Sequence, residues 1–511
     1  MCIRDRLFDE RTYIEMEKVL RKVKDARGDR LAELKAIFYN QLESKVGVLP
    51  TVHHPYLNES QKTAVQNILA SYDVSIVHGP PGTGKTTTIV NAIKLLCETE
   101  KVVLVTAPSN AAVDLLAERL SKKELNVVRI GNISRVDESL ISLTLDAQLS
   151  AHPESKNIKK IRIEASRARA EARKYKRRFG HVEREARKDS YKEARELEEW
   201  AKQLEERMLS DILNGAQVIA CTLVNSNHRV LERMKFRTVV IDEAAQALEP
   251  ATWIPISRAS KVVLAGDPFQ LPPTVKSMEA KREGFGITLL EKCVQKFEKV
   301  NFLNVQYRMN ETIMNFSNSQ FYDEKLVAAE EVKSWKLNVG GDLPVSFIDT
   351  AGCGFNEEIN PKTESKFNSG EFFILREYFL QFIKTLAEHD EPMPSVAIIA
   401  PYKAQAVYLK DEFLGDEQCT PYQEFVSINT IDSFQGQERD VVFISLVRSN
   451  EKSEIGFLSD YRRMNVAMTR AKKKLVVIGD SATIGNDIFY GAFIEYTEQI
   501  GGYRSAWEFM S

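Results

Sequence analysis

The chain has 511 residues, of which 43% are apolar and 28% charged, an ordinary composition for a globular enzyme of about three domains. Its formal net charge of -2 excludes a globally basic nucleic-acid-binding protein, so any such site must be a local basic surface. The six cysteines lack zinc-ligand spacing, the charged start does not resemble a signal peptide, and no apolar run approaches the ~18 residues of a membrane span.

The first 55 residues predict a helical segment followed by a link. Apolar side chains recur at helical spacing over 10–45, with a break at Gly28-Asp29. This pattern indicates a helical hairpin or bent stalk. A Pro-containing link at 49–55 follows, and Asn58-Glu59-Ser60-Gln61 predicts the start of another helix. We therefore interpret 1–55 as the remnant of a helical stalk and a linker.

A glycine-rich stretch at 77–88 separates a predicted buried strand at 73–77 from a predicted helix at 86–96. Its glycines allow a tight, partly left-handed path that points backbone N–H groups at an anion. Lys85 can neutralise β- and γ-phosphates, and Thr86 can hold Mg²⁺. A chance glycine-rich turn is the alternative, which the flanking strand and helix disfavour. The predicted nucleotide-binding residues here are Gly79, Pro80, Pro81, Gly82, Thr83, Gly84, Lys85, Thr86 and Thr87.

Further runs of β-branched residues predict strands that alternate with helices. They lie at 102–106, 217–221, 238–241, 262–265, 345–348, 396–400, 426–429, 441–446 and 475–478. A long helix is predicted at 370–387, and little beyond one short helix is expected after residue 480. This alternation indicates an α/β protein with parallel, doubly wound sheets. We expect two α/β domains, 56–300 and 301–511.

A segment at about 148–213, rich in Lys, Arg, Glu and Ala, interrupts the first domain and predicts a helical insertion. Its centre is basic, with Arg167, Arg169, Arg173, Lys174, Lys176, Arg177 and Arg178 around the single acid Glu171. Two interpretations stay open. The segment is either a solvated helical hairpin whose charges keep it soluble or an arm that contacts a phosphate backbone.

Polar residues at two strand ends complete the predicted chemistry. Asp242 and Glu243 end the apolar run Val239-Val240-Ile241, where neighbouring side chains diverge and can take different roles. Asp242 would hold Mg²⁺ and Glu243 would polarise the attacking water, although acids can also simply cap a strand. Gln270, in Gly266-Asp267-Pro268-Phe269-Gln270, could hydrogen-bond a γ-phosphate. ATP hydrolysis is the leading chemistry.

Six ordered motifs resemble those of superfamily 1 nucleic-acid helicases. They are Gly79–Thr86, Asp242-Glu243-Ala244-Ala245, Gly266–Pro273, Gln306-Tyr307-Arg308-Met309, Thr430–Asp440 and Asn465–Ala471. The branch that they resemble contains the nonsense-mediated-decay RNA helicase and the immunoglobulin mu-binding helicase. The resemblance implies two RecA-like P-loop domains of the AAA type, with ATP in the cleft between them. Two departures stand out: Asn310-Glu311 replaces the common His-Pro, and about fifty residues precede Leu57, too few for the branch's β-barrel.

The resemblance also implies roles for individual residues. Gln61 matches the glutamine that reads adenine, and Gln270 matches the γ-phosphate sensor. Arg308 and Arg470 match two arginines that reach the γ-phosphate, which agrees with the need for positive charge in phosphoryl transfer. In the same way, Tyr307 matches an aromatic stacked near the base and Glu438 matches a ribose ligand. Alternatively, Tyr307 is a core residue and Arg470 part of a solvated basic helix end.

Two strand-to-helix loops are candidates for gripping a nucleic-acid strand. The first offers Ser109 and Asn110, and the second offers Pro401 and Tyr402; ordinary helix capping is the alternative for both. Thr430 and Ser433 are further candidates. Contacts of this kind address the backbone and predict little sequence preference.

We therefore expect a monomeric, Mg²⁺- and ATP-dependent helicase or translocase that acts on single-stranded DNA or RNA. The resemblance implies 5′ to 3′ movement. The alternative is an ATP-gated clamp that holds nucleic acid without processive unwinding, and a GTPase-like switch is disfavoured because no Asn-Lys-x-Asp motif occurs. We expect no membrane association and a cytoplasmic location, or a nuclear one in a eukaryote.

Overall fold

The computed structural model describes residues 10–174, 180–339 and 343–510, which form two compact units. The first unit comprises Met1–His53, Val65–Ile76 and Thr86–Ala265. The second comprises His54–Ala64, Val77–Lys85 and Gly266–Ser511. Two short early segments, including most of the phosphate loop, therefore group with the C-terminal half of the chain.

Helices and strands alternate along most of the chain. The helices are α1 (Glu10–Asp25), α2 (Arg30–Phe38), α3 (Glu59–Ala70), α4 (Lys85–Leu96), α5 (Asn110–Ser121), α6 (Leu145–Ala151), α7 (Ser155–Arg173), α8 (His181–Gly215), α9 (Glu249–Ile256), α10 (Met278–Arg282), α11 (Leu289–Lys296), α12 (Glu311–Phe321), α13 (Glu330–Lys333), α14 (Ser369–Glu388), α15 (Lys403–Gly415), α16 (Tyr461–Met468), α17 (Ser481–Ile484) and α18 (Ile488–Gln499). Short 3₁₀ turns include Ala244–Gln246, Ile431–Phe434, Gly456–Ser459 and Ala506–Phe509.

The strands are β1 (Val74–His78), β2 (Val103–Ala107), β3 (Val127–Ile130), β4 (Val218–Thr222), β5 (Phe236–Ile241), β6 (Ala259–Gly266), β7 (Asn301–Phe302), β8 (Val305–Gln306), β9 (Val327–Ala328), β10 (Val345–Asp349), β11 (Glu358–Ile359), β12 (Lys366–Phe367), β13 (Val396–Ala400), β14 (Val426–Thr430), β15 (Arg439–Ser445), β16 (Ala471–Gly479) and β17 (Tyr503–Ser505). Two of the sheets are large, with seven and six strands. Neighbouring strands in both sheets run parallel, for example β2 with β5 and β10 with β16. The predicted α/β fold class is therefore confirmed.

The first large sheet has the order β3-β4-β2-β5-β6-β1-β7. Leu104, Val105 and Thr106 of β2 pair with β5, while the opposite edge of β2 pairs with β4. The strands β1 and β2 are buried along their whole length, which explains their continuous apolar runs. In a parallel sheet all strands end at the same edge, so the loops that follow β2 and β5 open on one side of the first unit.

The second large sheet has the order β14-β13-β15-β16-β10-β17 and is buried on both faces. Successive residues of a strand pack into opposite cores: Phe347 joins one apolar cluster and Ile348 the other. Helix α14 supplies Phe379 to the cluster around Ile348, and α18 supplies Phe493 to the cluster around Phe347. The two-residue period of the strands therefore divides the core of the second unit.

Each of the nine strand positions predicted from β-branched runs contains a strand, as does the position predicted at 73–77, and the predicted helix at 370–387 is α14. The interrupted N-terminal helix is also confirmed: Gly28 has a φ of +65°, and the Asp29 side chain accepts from Ala32 N at the start of α2. The prediction for the segment after residue 480 was wrong, because α18 is a full helix and β17 pairs with β10. Strand β3 was missed, since its four residues give too short a pattern.

Among the described residues, none of the helices combines the length and the apolar character needed to cross a bilayer. The predicted insertion is helical as expected and consists of α6, α7 and α8. Three of its predicted basic residues, Lys176, Arg177 and Arg178, lie outside the described residues.

Candidate nucleotide site and nucleic-acid interface

The phosphate loop connects the end of β1 to the start of α4. Gly82 and Gly84 have φ angles of +77° and +73°, the left-handed conformations that favour glycine. Gly79 is needed for space instead, because a Cβ there would lie 2.7 Å from the Cβ of Lys85. A Cβ at Gly82 would lie 2.7 Å from the Cβ of Arg308, and one at Gly84 would lie 2.6 Å from Nε2 of Gln61. The loop is therefore a close-fitting backbone cradle that other candidate residues contact.

Gln61 and Tyr307 both lie against this loop. Nε2 of the buried Gln61 donates to the carbonyl of Thr83 over 3.0 Å, and its Oε1 accepts from Asn58 N. Tyr307 N donates to the carbonyl of Gly82, and Nδ2 of Asn58 donates to the Tyr307 hydroxyl. The Tyr307 side chain is 43% exposed, so it is not a core residue. The two residues expected to contact the base are thus held beside the phosphate cradle.

Arg308 is oriented by its neighbour Gln306, which is fully buried. Oε1 of Gln306 accepts from the backbone N–H groups of Arg308 and Met309, each over 2.8 Å. Nε of Arg308 donates to Glu438 over 2.8 Å, and the Nζ of Lys472 lies 3.2 Å from the other carboxylate oxygen of Glu438. Burial alone would raise the pKa of Glu438, but the charges of Arg308 and Lys472 outweigh it and lower that pKa. Glu438 is therefore an ionised partner of Arg308.

Gln270 and Arg470 also meet within the second unit. Nη2 of Arg470 lies 3.4 Å from Oε1 of Gln270, while its Nε donates to Val466 O and its Nη1 to Gln437 O. Arg470 is only 2% exposed, which argues against a solvated basic helix end. The basic run that follows it belongs to strand β16, where Lys474 is buried as well. A buried, hydrogen-bonded arginine beside an amide is suited to sense an anion.

Asp242 and Glu243 follow β5 in the first unit and have different surroundings. Asp242 is 3% exposed, and its Oδ1 accepts from Glu243 N over 2.8 Å. Glu243 has a left-handed backbone, with a φ of 52°, and its Oε2 accepts from Gln246 Nε2 over 2.9 Å. Left-handed backbone is uncommon for a residue with a side chain and recurs at functional sites. The two neighbouring acids are therefore held by separate contacts.

The first predicted strand grip is built around a helix cap. Ser109 is the N-cap of α5, and its Oγ accepts from Ala112 N over 3.1 Å. Asn110 Oδ1 accepts from Nη2 of Arg129, a fully buried arginine whose Nε donates to Asp114. The capping contact predicted as the alternative is therefore present for Ser109. Asn110, in contrast, is held by the side chain of Arg129, which belongs to β3.

The second predicted grip differs from one residue to the next. Tyr402 is 5% exposed, and its hydroxyl accepts from Nη1 of Arg448 and from Phe457 N. Pro401, just before it, is half-buried. The hydroxyls of Thr430 and Ser433 lie 3.4 Å apart, and Ser433 is exposed. Thr430 and Ser433 thus offer hydroxyls near the surface, whereas Tyr402 packs inside the second unit.

Helices α7 and α8 of the insertion pack side by side along an apolar seam that includes Ile158, Ile161, Ala201 and Met208. Two ion pairs join the helices, Arg162 to Glu205 and Arg169 to Glu198, each at 2.7 Å. The predicted basic residues Arg167, Arg169, Arg173 and Lys174 are exposed. The hairpin therefore has its own small core and an exposed basic stretch.

Comparison with known proteins places the chain in a family. Two family profiles, each described as an AAA domain, match residues 56–278 and 285–482. DNA polymerase alpha-associated DNA helicase A of Saccharomyces cerevisiae is 34% identical over 92% of this chain and 72% of that protein. The chain belongs to the superfamily 1 helicases. The family predicted from the order of the motifs is thus confirmed.

Other superfamily 1 relatives define the branch. DNA-binding protein SMUBP-2 of Mesocricetus auratus is 33% identical, covering 99% of this chain and 51% of that protein. The Regulator of nonsense transcripts 1 homolog of Neurospora crassa is 34% identical, covering 87% of this chain and 40% of that protein. The predicted branch is therefore confirmed, and the chain spans about half the length of these relatives.

The residues of this superfamily 1 chain fit a nucleoside triphosphate with Mg²⁺. The glycine cradle leads directly into the N-terminus of α4, where backbone N–H groups and the helix dipole favour an anion such as a phosphate. Thr86 and Asp242 supply a hydroxyl and a carboxylate, the oxygen ligands that Mg²⁺ prefers. Within the described part of the chain, no group of three or more His, Cys, Asp and Glu residues is arranged to hold a metal.

Several residues that shape the site were not assigned roles from the sequence. Gln306 and Asp267 lie within two of the ordered motifs, and both are buried. Gln306 accepts a hydrogen bond from Arg308 N, and Asp267 accepts one from Gln270 Nε2. Arg129 lies 19 residues from Asn110, and no local pattern connects the two. Such contacts depend on which strands are neighbours in the sheet.

Proposed function

We propose that the protein is a nucleic-acid-dependent ATPase that moves along single-stranded DNA or RNA in the 5′ to 3′ direction and separates strands ahead of it. It would use Mg²⁺ and act as a monomer in the cytoplasm, or in the nucleus of a eukaryotic cell. Membership of the superfamily 1 helicases supports this proposal. The proposed domains are 56–300, with the insertion at about 148–213, and 301–511, preceded by the helical segment 1–55.

One observation carries the proposal: Arg308 packs directly against the phosphate loop. A Cβ at Gly82 would collide with Arg308, and Tyr307 N donates to the Gly82 carbonyl. An arginine held at a phosphate cradle by a buried glutamine is typical of phosphoryl transfer, in which positive charge stabilises the transferred group. A purely structural P-loop protein would not need an arginine at this position.

The site residues would divide the chemistry among them. Lys85 would neutralise the β- and γ-phosphates, and Thr86 and Asp242 would hold Mg²⁺, which supplies further positive charge when bound. Glu243 would orient and polarise the attacking water, and Gln270 would hydrogen-bond the γ-phosphate. Arg308 and Arg470 would stabilise the charge that develops on the transferred group. Gln61, Tyr307 and Glu438 would hold the base and the ribose.

Movement along the strand would follow from changes in these contacts. Arg308 and Arg470 would bind the γ-phosphate only while it is present, so hydrolysis would release the contacts that these two arginines make with it. Ser109 and Asn110 in one domain, and Thr430 and Ser433 in the other, would hold the strand backbone. Alternate tightening of the two grips would then advance the protein along one strand.

The decisive experiment is a steady-state ATPase assay with and without single-stranded DNA or RNA, with Lys85→Ala beside the wild type. We expect a strand to stimulate hydrolysis in the wild type. Lys85→Ala should abolish this activity, because the β- and γ-phosphates lose their cation. Strand binding without any stimulation in the wild type would contradict the motor proposal and favour an ATP-gated clamp.

A further inference from the structure

A buried group of polar side chains lies behind Gln270 in the second unit and has no role in the chemistry described above. Its members, which we call the Asp267 cluster, are His78, Asp267, Tyr322 and Asn465. Each is at most 5% exposed. They come from the end of β1, the loop after β6, the end of α12 and the middle of α16. Four separate parts of the chain therefore converge on one carboxylate.

Asp267 is the centre of this cluster because its carboxylate accepts four hydrogen bonds. Oδ1 accepts from His78 Nε2 and Phe269 N, each over 3.1 Å. Oδ2 accepts from Gln270 Nε2 over 2.9 Å and from the Tyr322 hydroxyl over 2.8 Å. Burial alone would raise the pKa of Asp267, but the bonds from His78 and Gln270 outweigh it and lower that pKa. Asp267 is thus an ionised carboxylate with donors on both oxygens.

This carboxylate fixes the orientation of the Gln270 amide. An ionised carboxylate only accepts hydrogen bonds, so the amide must turn its NH₂ group toward Asp267. The amide oxygen then faces Arg470, whose Nη2 lies 3.4 Å away. The side chain proposed to sense the γ-phosphate is therefore held in one of its two possible orientations by a neighbour that would not touch the nucleotide.

Tyr322 connects this anchor to the helix that precedes Arg470. Its hydroxyl donates to Asp267 and accepts from Asn465 Nδ2 over 2.9 Å. Asn465 Nδ2 also donates to the backbone carbonyl of Phe269 over 2.8 Å. The backbone carbonyl of Asn465 accepts from the Thr469 hydroxyl over 2.6 Å. Asn465 lies in α16, five residues before Arg470. One phenol group thus joins the segment carrying Gln270 to the segment carrying Arg470.

We propose that Tyr322 and Asn465 are positioning residues which, through Asp267, hold Gln270 and Arg470 together so that both engage the γ-phosphate of a nucleoside triphosphate. The proposal rests on the proposed function, since it concerns the same phosphate site. Without the Tyr322 hydroxyl, Asp267 loses one of its donors and Asn465 loses an acceptor. Gln270 is then less firmly aligned with Arg470, although no group that would touch the nucleotide has changed.

Tyr322→Phe is the direct test, because it removes only the hydroxyl oxygen. Tyr490→Phe is a matched control: Tyr490 is fully buried in the same apolar cluster, and its hydroxyl donates to the Leu458 carbonyl. Two quantities would be measured for each variant, the strand-stimulated kcat and KM for ATP, and the ratio of the affinities for a non-hydrolysable ATP analogue and for ADP. Thermal unfolding would be recorded in parallel.

We expect Tyr322→Phe to lower kcat by about tenfold, the order expected when a hydrogen bond to a charged group is lost, with little change in KM. The preference for the triphosphate analogue over ADP should fall by a similar factor. Tyr490→Phe should leave both quantities unchanged while shifting the unfolding temperature by a similar amount. A purely structural role for Tyr322 would make the two variants behave alike and would overturn the proposal.

A double-mutant cycle with Gln270→Ala tests whether Tyr322 acts through Gln270. In the Gln270→Ala background, Tyr322→Phe should have almost no further effect on kcat or on the affinity ratio. Additive effects would overturn the proposal. If Tyr322→Phe does not fold, Asn465→Ala in the same cycle tests the same connection. If the wild type shows no strand-stimulated hydrolysis, the proposed function fails, and the affinity ratio still decides whether Tyr322 positions Gln270.

Discussion

At the scale of single residues, the structure distinguishes neighbours that the sequence presents as equivalent. Asp242 is buried and bonded to the backbone of the next residue, whereas Glu243 adopts a left-handed conformation and contacts Gln246. A carboxylate that binds a metal ion is best held in one orientation, and a second carboxylate that orients water must occupy a different position. These surroundings fit the separate roles that we propose for the two acids.

Glu243→Gln should lower the strand-stimulated kcat by about a hundredfold to ten-thousandfold, the usual contribution of a general base. The amide can still bond Gln246, so the fold and ATP binding should persist. The variant should therefore accumulate bound ATP and hold a strand more tightly, which nucleotide retention and strand-binding assays would measure. The exposed Glu232→Gln in the same unit is the control. Normal turnover in Glu243→Gln would remove Glu243 from its proposed role.

At the scale of elements, helix α14 is joined to the end of strand β15 by a buried acid. Glu371, in the first turn of α14, is fully buried and accepts from Val447 N, with contacts of 2.9 and 3.0 Å to its two oxygens. The Ser445 hydroxyl bonds the same carboxyl. Val447 has a φ of +74°, which is rare for a β-branched residue. The acid thus holds a strained turn after β15.

The stability of the second unit should depend on pH through this acid. Burial raises the pKa of Glu371 to about 8 against the hydrogen bonds that lower it. The folded protein therefore keeps this proton up to about pH 8, whereas the unfolded chain releases it near the usual value for Glu. Because the unfolded state binds fewer protons in this interval, stability should fall as pH rises toward 8 and then level off.

Glu371→Gln should remove this dependence, since an amide does not titrate. The urea midpoint of the variant should decline less than that of the wild type as pH rises from about 5 to about 8. Glu388→Gln, at the exposed end of the same helix, should follow the wild-type curve. Parallel curves for Glu371→Gln and the wild type would show that Glu371 does not cause the effect.

The insertion is the second element whose role can be tested. Replacing 155–208 with a short flexible linker should weaken strand affinity and reduce its dependence on salt, if the exposed basic stretch contacts phosphates. Each lost contact should reduce the slope of log affinity against log salt by about 0.7 for a single strand. An unchanged slope would support the alternative of a solvated hairpin.

Point variants of the insertion separate binding from folding. Arg167→Gln and Arg173→Gln remove exposed charges, whereas Arg162→Gln removes a partner of Glu205. We expect the first two to lower the salt slope and the third to leave it nearly unchanged. Such a difference would locate the contact on the exposed stretch of α7.

At the scale of the whole molecule, the six-stranded parallel sheet belongs to the second unit, and the chain passes repeatedly from one unit to the other. The phosphate loop through Lys85 groups with the unit that carries Arg308, Gln270 and Arg470, whereas Thr86 and the two acids group with the other. Residues proposed for one reaction thus belong to both units.

Movement should be directional, and we expect it to run 5′ to 3′. On strands of increasing length labelled with a fluorophore at one end, arrival at a 3′ label should show a lag that grows with length, while a 5′ label should show none. Stopped-flow fluorescence with ATP measures this, with Lys85→Ala as the control that should not move. A lag at the 5′ label would reverse the proposed direction.

The sequence by itself determined the α/β class, the positions of the main strands, the phosphate loop and the family, because these depend on local periodicity and on short ordered motifs. The predicted partly left-handed path is formed by Gly82 and Gly84 and not by Gly79. Tertiary structure alone decided that Arg470 is buried, that Tyr402 packs inside, and that Asp267 gathers His78, Tyr322 and Asn465. Burial and hydrogen bonding between residues far apart in the chain depend on which strands and helices become neighbours, and no local pattern encodes that arrangement.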